Sequence, residues 1–194
     1  PREDQLKYIG YMLTDVTRLT ENISRMLNLA KLESKSYMGE FVVCDMVEVV
    51  NHFLEANRHL FQGCRIDLHP PVGTAVYHRI NRHLFEMLLI NILTNAMKYN
   101  DAEIPQVDIF IEPGHRKTSI RFVDNGIGLE RKEVRKIFRK FYQIGRSDNM
   151  TAKGSGLGLN LVQTIARLHK GKVIADSPGR KQGSTFTVVL PTLN

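Results

Sequence analysis

Hydrophobic positions in the first 36 residues recur at alternating spacings of three and four. This stripe runs through Leu6, Ile9, Leu13, Val16, Thr20, Ile23, Leu27 and Ala30, and beside it lie Met12, Leu19 and Met26. One helix with so wide an apolar face is not stable alone in water. The pattern therefore predicts one long helix that packs against partner helices in a bundle or coiled coil. The alternative is a helix that lies on its own globular domain.

The pattern changes at Ser34 to Gly39, a short polar segment that indicates a hinge. Beyond it, the strands are predicted at 41–43, 65–69, 75–80, 107–112, 118–123, 172–175 and 185–190. The helices are predicted at 46–60, 82–99, 130–138 and 157–169, with Asp45 and Asn81 as N-caps of the first two. Helices and antiparallel-looking strands around one core predict an α/β fold, a two-layer sandwich preceded by the long helix.

The composition is that of a globular protein, with 42% hydrophobic and 24% charged residues. It excludes disordered, collagen-like and disulfide-rich classes. No apolar run approaches the roughly 18 residues of a membrane span, and there is no secretory signal, so we expect a soluble, cytoplasmic segment. Cys44 and Cys64 form no CxxC pair and are expected to be reduced thiols. Because the chain begins with Pro1, we expect it to be a piece of a longer protein.

The charge is basic, since 27 Lys and Arg residues against 20 Asp and Glu give a net charge of +7. Such a balance suits a nucleic acid, a polyphosphate ligand or an acidic protein partner. Six of the cations fall within residues 131–140, where Val134, Ile137 and Phe138 would form the opposite face of a helix. A solvated face is the favoured interpretation of such a run, and no nucleic-acid partner is expected.

A polar stripe marks the helix predicted at 82–99. Asn91, Asn95, Lys98 and Tyr99 share one face of this helix, because they are spaced by about one or two turns. The opposite face is apolar and contains Leu88, Leu89, Ile92 and Leu93. Amide oxygens are ligands for Mg²⁺, and a lysine can neutralise phosphate. Taken alone, the stripe is more typical of a solvated face.

Two glycine-rich segments are candidates for ligand binding. Asp124 to Gly128 follows a predicted strand, where a carboxylate can accept a hydrogen bond from an exocyclic amine and glycines admit a planar ligand. The alternative for this segment is an ordinary turn. Gly154 to Leu159 precedes a predicted helix, whose first amides can bind an anion. It has neither the βαβ setting of a Rossmann fold nor the Gly-Lys-Ser/Thr ending of a P-loop.

Two further segments complete the pattern. Ile137 to Tyr142 contains Phe138, Phe141 and Tyr142, which we interpret as apolar anchors for the polar loop that follows. That loop, residues 143–155, has the composition of a mobile lid. The second segment, Gly183 to Phe186, begins the last predicted strand.

The order and spacing of these segments resemble the ATP-binding half of bacterial sensor histidine kinases. These kinases belong to the wider GHKL group shared with gyrase B, the Hsp90 chaperones and MutL. The segments are similar to the N box (91–99), first glycine box (124–128), F box (137–142), second glycine box (154–159) and closing Gly-x-x-Phe segment (183–186). The F box points to histidine kinases within the group. The resemblance covers residues 41–191, and residues 18–33 are similar to the second helix of the family's dimerisation domain.

The resemblance implies a Bergerat-type ATP-binding fold and two domains, with residues 1–36 in the dimerisation and phosphotransfer domain and 37–194 in the ATP-binding domain. It implies that Asp124 binds the adenine amino group, and that ATP and Mg²⁺ are the cofactors. Asn95 would hold Mg²⁺, and Asn95 with Lys98 would be the catalytic residues. The implied nucleotide-binding residues are Asn91, Asn95, Lys98, Tyr99, Asp124, Gly126, Ile127, Gly128, Lys140, Phe141, Tyr142, Gly154, Ser155, Gly156, Leu157, Gly158, Leu159 and Thr185.

The sequence departs from the family at the phosphoacceptor. None of its seven histidines is followed by an acidic residue, so the His-Glu/Asp-x-x-x-Pro segment is absent. The resemblance then implies transfer of the ATP γ-phosphoryl group to a histidine outside this chain, for relay to an aspartate on a response-regulator receiver domain. It also implies a homodimer through the N-terminal helix, and membrane attachment only through upstream segments, as in the cytoplasmic part of an inner-membrane sensor.

A second departure concerns catalysis. Gln143 stands where many members have Arg. If this change removes a contact with a phosphate group, Arg146 or Lys153 would have to supply it. The missing acceptor and Gln143 leave an alternative, a non-catalytic module in which ATP sets the position of the lid and thereby partner binding. A gyrase-type or chaperone-type ATPase is less favoured, because Glu86 lies nine residues before Asn95, over two helical turns away.

Overall fold

The computed structural model of the chain describes residues 2–34, 39–73, 75–144 and 155–193. It divides into two compact units, residues 1–38 and 39–194. The helices are α1 (Arg2–Glu33), α2 (Met46–Ala56), α3 (Arg82–Lys98) and α4 (Gly158–Leu168). The strands are β1 (Val42–Asp45), β2 (Arg65–His69), β3 (Tyr77–Ile80), β4 (Gln106–Pro113), β5 (Lys117–Asp124), β6 (Lys172–Asp176) and β7 (Ser184–Pro191). No described helix combines the length and apolarity that a bilayer span requires.

The first unit is dominated by α1, a helix of 32 residues, as the heptad pattern predicts. Most of its apolar stripe is exposed, with Leu13 at 66% and Val16 at 59%. Within the helix, the hydroxyl groups of Thr14, Thr17 and Thr20 each donate to the carbonyl oxygen four residues earlier. Assembly of this stripe into a bundle stays a prediction.

The second unit is built on a five-stranded sheet with the order β2-β4-β5-β7-β6. Strands β4, β5, β7 and β6 pair antiparallel. Short connections join β4 to β5 and β6 to β7, whereas residues 125–183 separate β5 from β7. Strand β2 pairs parallel with β4. The sequence predicts antiparallel strands and does not predict this parallel pair. The long connection through β3 and α3 returns the chain in the same direction, and a parallel pair requires such a crossover. Strands β1 and β3 form a separate antiparallel ribbon.

The core lies between one face of this sheet and the helices. Alternate residues of β4 and β5, such as Ile109, Ile120 and Phe122, are almost completely buried. The apolar face of α3 meets them with side chains that include Leu88 and Leu93, both 0% exposed. Helices on one face of a sheet make two layers. The predicted two-layer α/β sandwich is confirmed.

Both predicted N-caps are present. The Oδ1 atom of Asp45 accepts from the amide of Val47 at 3.0 Å, and that of Asn81 accepts from the amide of Leu84 at 3.0 Å. Each bond satisfies an amide that the first helical turn leaves without a partner. Helix α2 ends at Ala56, earlier than predicted, and a short 3-10 turn follows at residues 58–61.

The helix predicted at 130–138 is wrong, because the structure has a run of turns over residues 131–141. Three amides in this run, those of Glu133, Lys136 and Arg139, donate to the carbonyl oxygen three residues earlier. The side chain of Glu133 turns inward and accepts from the amide of Glu130 at 2.8 Å. In the same run the amides of Val134 and Ile137 donate to the carbonyl oxygen four residues earlier, so the two bond types are mixed and no continuous α-helical ladder forms. The six cations therefore do not share one helical face.

Candidate functional site

A cavity opens where the second half of α3 meets the end of β5 and the start of β7. It is bounded by the segment after β5 and by the first residues of α4. Its lining residues are Asn95, Ala96, Tyr99, Asp124, Ile127, Gly128, Leu129, Ile137, Tyr142, Gln143, Ile144, Leu159, Ser184 and Phe186. The lining is largely apolar with a few convergent polar groups, which is typical of a small-molecule site.

Asp124 supplies the carboxylate of this cavity. It ends β5 in register with Ser184, the first residue of β7. Its Oδ1 atom accepts from the backbone amides of Gly126 at 2.9 Å and Ser184 at 3.1 Å. Among the residues that the structure describes, none donates to Oδ2. The side chain is therefore held by one oxygen, while the other can accept a hydrogen bond from a ligand.

The environment of Asp124 also changes its acidity. Burial raises the pKa of its carboxyl group above the ordinary value, and the amides of Gly126 and Ser184 oppose that effect. Poor solvation disfavours the charged form, whereas hydrogen-bond donors favour it. A ligand N–H on Oδ2 would add a third donor and stabilise the carboxylate.

The glycine loop (residues 125–128) lies against the β6–β7 loop (residues 177–183). The amide of Gly183 donates to the carbonyl of Gly126 at 3.0 Å, and that of Lys181 to the carbonyl of Ile127 at 2.7 Å. Gly128 has φ +67°, and a Cβ there would clash with the carbonyl oxygen of Gly179. The absence of side chains thus lets the two loops touch and gives the cavity one fixed edge.

The polar face of α3 forms the next part of the site. Asn95 and Tyr99 line the cavity. Asn91 donates through Nδ2 to the carbonyl of Met87 at 2.7 Å, and a Cβ on Gly158 would lie 2.9 Å from its Oδ1 atom. The missing side chain at Gly158 therefore lets the N-terminus of α4 approach the two asparagines.

The end of α3 carries Lys98, whose side chain is exposed. Its Nζ atom lies 5.8 Å from the ring centroid of Tyr99. Burial raises the pKa of the Tyr99 hydroxyl, so that side chain stays neutral near pH 7. Lys98 thus lies beside a lining residue without lining the cavity.

The wall segment (residues 129–144) closes another side of the cavity. Phe138 is buried, Ile137 and Tyr142 line the cavity, and Phe141 is 50% exposed. The interpretation of Phe141 as an apolar anchor is therefore wrong. Its backbone has φ 62°, and its amide donates to the carbonyl of Gly156 at 3.0 Å. This backbone contact, rather than the ring, joins the wall segment to the start of α4.

The structure brings together part of the predicted set. Seven of the predicted residues line the cavity, namely Asn95, Tyr99, Asp124, Ile127, Gly128, Tyr142 and Leu159. Seven lie behind or beside this lining, namely Asn91, Gly126, Phe141, Ser155, Gly156, Leu157 and Gly158. Lys140 is exposed, and Thr185 alternates with two lining residues of β7 and so projects from the other face of the sheet. Gly154 lies outside the described residues, as do Arg146 and Lys153.

The predicted set omits several lining residues. They are Ala96, Leu129, Ile137, Gln143, Ile144, Ser184 and Phe186. Strand alternation could have found Ser184 and Phe186, because Gly183 to Phe186 was already a candidate segment. The contribution of Leu129 depends on long-range contacts, such as the bond from its amide to Ser177 Oγ at 2.9 Å, for which the sequence has no local signal.

The fold and this site define a class of protein. Residues 80–194 match the sequence profile of the family described as histidine kinase-, DNA gyrase B-, and HSP90-like ATPase. The chain belongs to this family, and the resemblance to sensor histidine kinases is confirmed.

Individual relatives of the chain are named as histidine kinases. The chain is 28% identical over 186 residues to the signal transduction histidine-protein kinase ArlS of Staphylococcus epidermidis. The aligned region covers 96% of this chain and 40% of ArlS. It is 30% identical over 175 residues to the sensor histidine kinase RppB of Synechocystis sp., covering 90% of this chain and 38% of RppB. The chain thus spans well under half of each relative.

Solved structures share the fold. Acinetobacter baumannii histidine kinase AdeS has a TM-score of 0.69 at 22% identity, covering 100% of this chain and 87% of that one. Full-length ShkA, solved in complex with AMPPNP, has a TM-score of 0.79 at 18% identity, covering 98% of this chain and 39% of that one. These likenesses support the two-layer architecture.

Proposed function

We propose that this chain is the ATP-binding catalytic portion of a sensor histidine kinase. Asp124 carries the proposal. Its half-buried carboxylate is fixed through Oδ1, and its Oδ2 accepts a hydrogen bond from none of the described residues. The exocyclic amine of adenine is a donor that suits this acceptor. Ile127, Ile137 and Leu159 supply apolar surface for the faces of a planar base.

The phosphate groups and Mg²⁺ are proposed to lie near the junction of α3 and α4. Asn95 lines the cavity, and Asn91 lies against the first residue of α4. Mg²⁺ in phosphate sites keeps several waters and takes few protein ligands, so one amide oxygen from Asn95 fits it. The bound metal would neutralise phosphate charge. The first amides of α4 favour an anion, and Lys98 adds a cation at the end of α3.

The proposed reaction is phosphoryl transfer to a histidine outside residues 1–194. An imidazole nitrogen forms a bond to the γ-phosphorus, the bond from that phosphorus to the β,γ-bridging oxygen breaks, and ADP leaves. The nitrogen's proton passes to solvent or a base. Such a transfer depends on positioning and charge neutralisation more than on covalent help from the protein. The phosphoryl group would then pass to an aspartate of a response-regulator receiver domain.

The relatives support this proposal over the non-catalytic alternative. ArlS, RppB and AdeS are named as histidine kinases, and ShkA was solved with an ATP analogue. We further propose that the protein acts as a homodimer in the cytoplasm, where ATP and receiver domains are found, with any membrane attachment upstream. No nucleic-acid partner is proposed.

The test is nucleotide binding by the chain and by Asp124→Asn, measured by calorimetry with Mg²⁺-ADP. The asparagine Oδ1 can still accept from Gly126 and Ser184, whereas its Nδ2 presents a donor to the adenine amine. We expect the affinity to fall about 10- to 100-fold, as expected for loss of a hydrogen bond to a charged group.

Asp108→Asn is the matched control, because Asp108 lies on the other face of the same sheet and pairs with His69 at 2.8 Å. It should bind as the unmodified chain does. An unmodified chain that does not bind Mg²⁺-ADP would contradict the proposal, as would equal affinities for the two variants. Transfer to histidine is then assayed with [γ-³²P]ATP on the full-length protein, with acid-labile label as the expected product.

A further inference from the structure

Glu133 is a buried carboxylate in the wall segment, with only 5% of its surface exposed. Its Oε2 atom accepts from the amide of Glu130 at 2.8 Å, and its Oε1 atom accepts from the guanidinium of Arg180 at 2.7 Å. A buried carboxylate is costly unless it is paired and hydrogen-bonded. The inward turn of Glu133 therefore depends on Arg180.

Arg180 lies in the β6–β7 loop, outside every segment that the sequence pattern identified. Besides Glu133, its guanidinium donates to the carbonyl oxygen of Gly128 at 3.3 Å and lies 3.6 Å from the carboxylate of Glu130. One planar group thus contacts the glycine loop and two points of the wall segment. The fixed fork of an arginine suits such a junction, which a single ammonium group could not reproduce.

The contacted segments form the cavity, although Arg180 does not line it. Gly128, Leu129 and Ile137 are lining residues on either side of the Arg180 contacts. The β6–β7 loop also holds this region through Ser177, whose Oγ atom accepts from the Leu129 amide at 2.9 Å. The β6–β7 loop therefore determines where this part of the wall lies.

We propose that Arg180 is a positioning residue for the base of the bound nucleotide. It fixes the distance between the wall segment and Asp124 by holding Gly128 and Glu133 at once. This inference rests on the proposed function, because it takes the adenine to lie beside Asp124. Since Gly128 and Leu129 directly follow the Asp124 turn, Arg180 acts on the base half of the site.

The proposal predicts a specific pattern of affinities. Loss of the Arg180 contacts should weaken adenosine, ADP and ATP by the same factor, about tenfold, or about 1.4 kcal/mol. A residue that acted on the phosphates would weaken ATP and ADP while leaving adenosine unchanged. A purely structural residue would lower the unfolding temperature without changing the affinity of the folded protein.

Two variants separate these roles. Arg180→Lys keeps a cation beside Glu133 and should keep most of the stability, while it loses the simultaneous contact with Gly128. The double variant Arg180→Met/Glu133→Gln leaves no unpaired buried charge, so it should fold while it lacks the junction. Arg121→Met is the matched control, because Arg121 pairs with Glu112 at 2.6 Å on the sheet face opposite the core.

Dissociation constants for adenosine, ADP and ATP are measured for the unmodified chain and the variants, with unfolding temperatures. Equal losses for the three ligands in Arg180→Lys and in the double variant, with Arg121→Met unchanged, support the inference. Unchanged affinities in the double variant overturn it, as does a loss confined to ADP and ATP. If the unmodified chain bound no nucleotide, the proposed function would fail as well, whereas a failure of this inference alone leaves its binding intact.

Discussion

Gly128 is a position where one added methyl group has a large consequence. Its φ of +67° is unfavourable for other residues, and a Cβ would clash with the carbonyl oxygen of Gly179. We expect Gly128→Ala to lower the free energy of unfolding by about 3 kcal/mol, from left-handed strain and overpacking together. Urea denaturation measures this change.

Gly63→Ala separates the two causes. Gly63 has φ +79°, yet nothing lies within 4 Å of a Cβ built there. We expect this variant to lose only about 1 kcal/mol, the cost of the left-handed backbone. Equal losses in the two variants would show that the clash with Gly179 contributes nothing.

Asp124 makes nucleotide binding sensitive to pH at the residue scale. Burial raises the pKa of its free carboxyl group, and the proposed adenine contact needs the ionised form. Affinity for Mg²⁺-ADP should therefore be full above this raised pKa and fall as pH drops through it, at a higher pH than for an ordinary aspartate. Calorimetric titrations over a pH series, with Asp124→Asn as reference, measure the effect. A reference variant with the same pH profile would exclude Asp124 as its origin.

At the element scale, His169 connects the end of α4 to the start of α3. Its Nδ1 donates to the carbonyl of Ile165 at 2.8 Å, and its Nε2 accepts from the amide of Asn81 at 3.1 Å. The neutral imidazole satisfies both hydrogen bonds, because its Nδ1 carries the proton and its Nε2 accepts. A second proton on Nε2 would face the N–H group of Asn81 and oppose that bond. Burial lowers the pKa of His169 below its ordinary 6.5, although the hydrogen bond from Nδ1 to the carbonyl of Ile165 acts in the opposite direction.

The sign of the resulting pH dependence follows from proton uptake. Below about pH 6.5 the unfolded chain binds a proton that the folded His169 refuses, so stability should fall as pH drops from there toward the folded pKa. We expect His169→Gln to reduce the slope by up to about 1.4 kcal/mol per pH unit. The exposed His83→Gln is the control, and urea denaturation across this pH range is the measurement. An unchanged slope in His169→Gln would contradict the assignment. The pH dependence would then come from another buried histidine such as His78, whose pKa burial also lowers.

The elements also show what the sequence could and could not predict. Helix α3 is predictable because its cap, Asn81, and its apolar face are local signals in one continuous stretch. The segment at 130–138 has a helical pattern of apolar residues, yet Glu133 binds Arg180, 47 residues away. A local pattern of residues cannot reveal a partner at that distance along the sequence. In the candidate site, Asp124 was predictable from its place after a strand, whereas Leu129 depends on Ser177.

At the scale of the whole molecule, the exposed stripe of α1 predicts self-association. Large exposed apolar surfaces are unusual on monomers, and Leu13 and Val16 lie in the centre of this one. The unmodified chain should be a dimer in light scattering, and Leu13→Glu/Val16→Glu should be a monomer, because charges oppose burial in a helical interface.

Ile174→Glu serves as the control for this experiment. Ile174 is also an exposed apolar residue, at 46%, but it lies on β6 of the second unit. It should leave the dimer intact. A chain that is monomeric at high concentration, or a dimer that survives both glutamates in α1, would contradict assembly through this stripe.

The contact between the glycine loop and the β6–β7 loop also constrains how this chain can diverge in evolution. A Cβ at Gly128 would clash with Gly179, and a Cβ at Gly183 would clash with the carbonyl oxygen of Asp124. Neither glycine can change unless the opposite backbone moves. Lineages that replace one of them should therefore carry an altered length or sequence in the other loop. The sequences of the two loops would then change together, although the wall segment, α4 and β6 separate them along the chain.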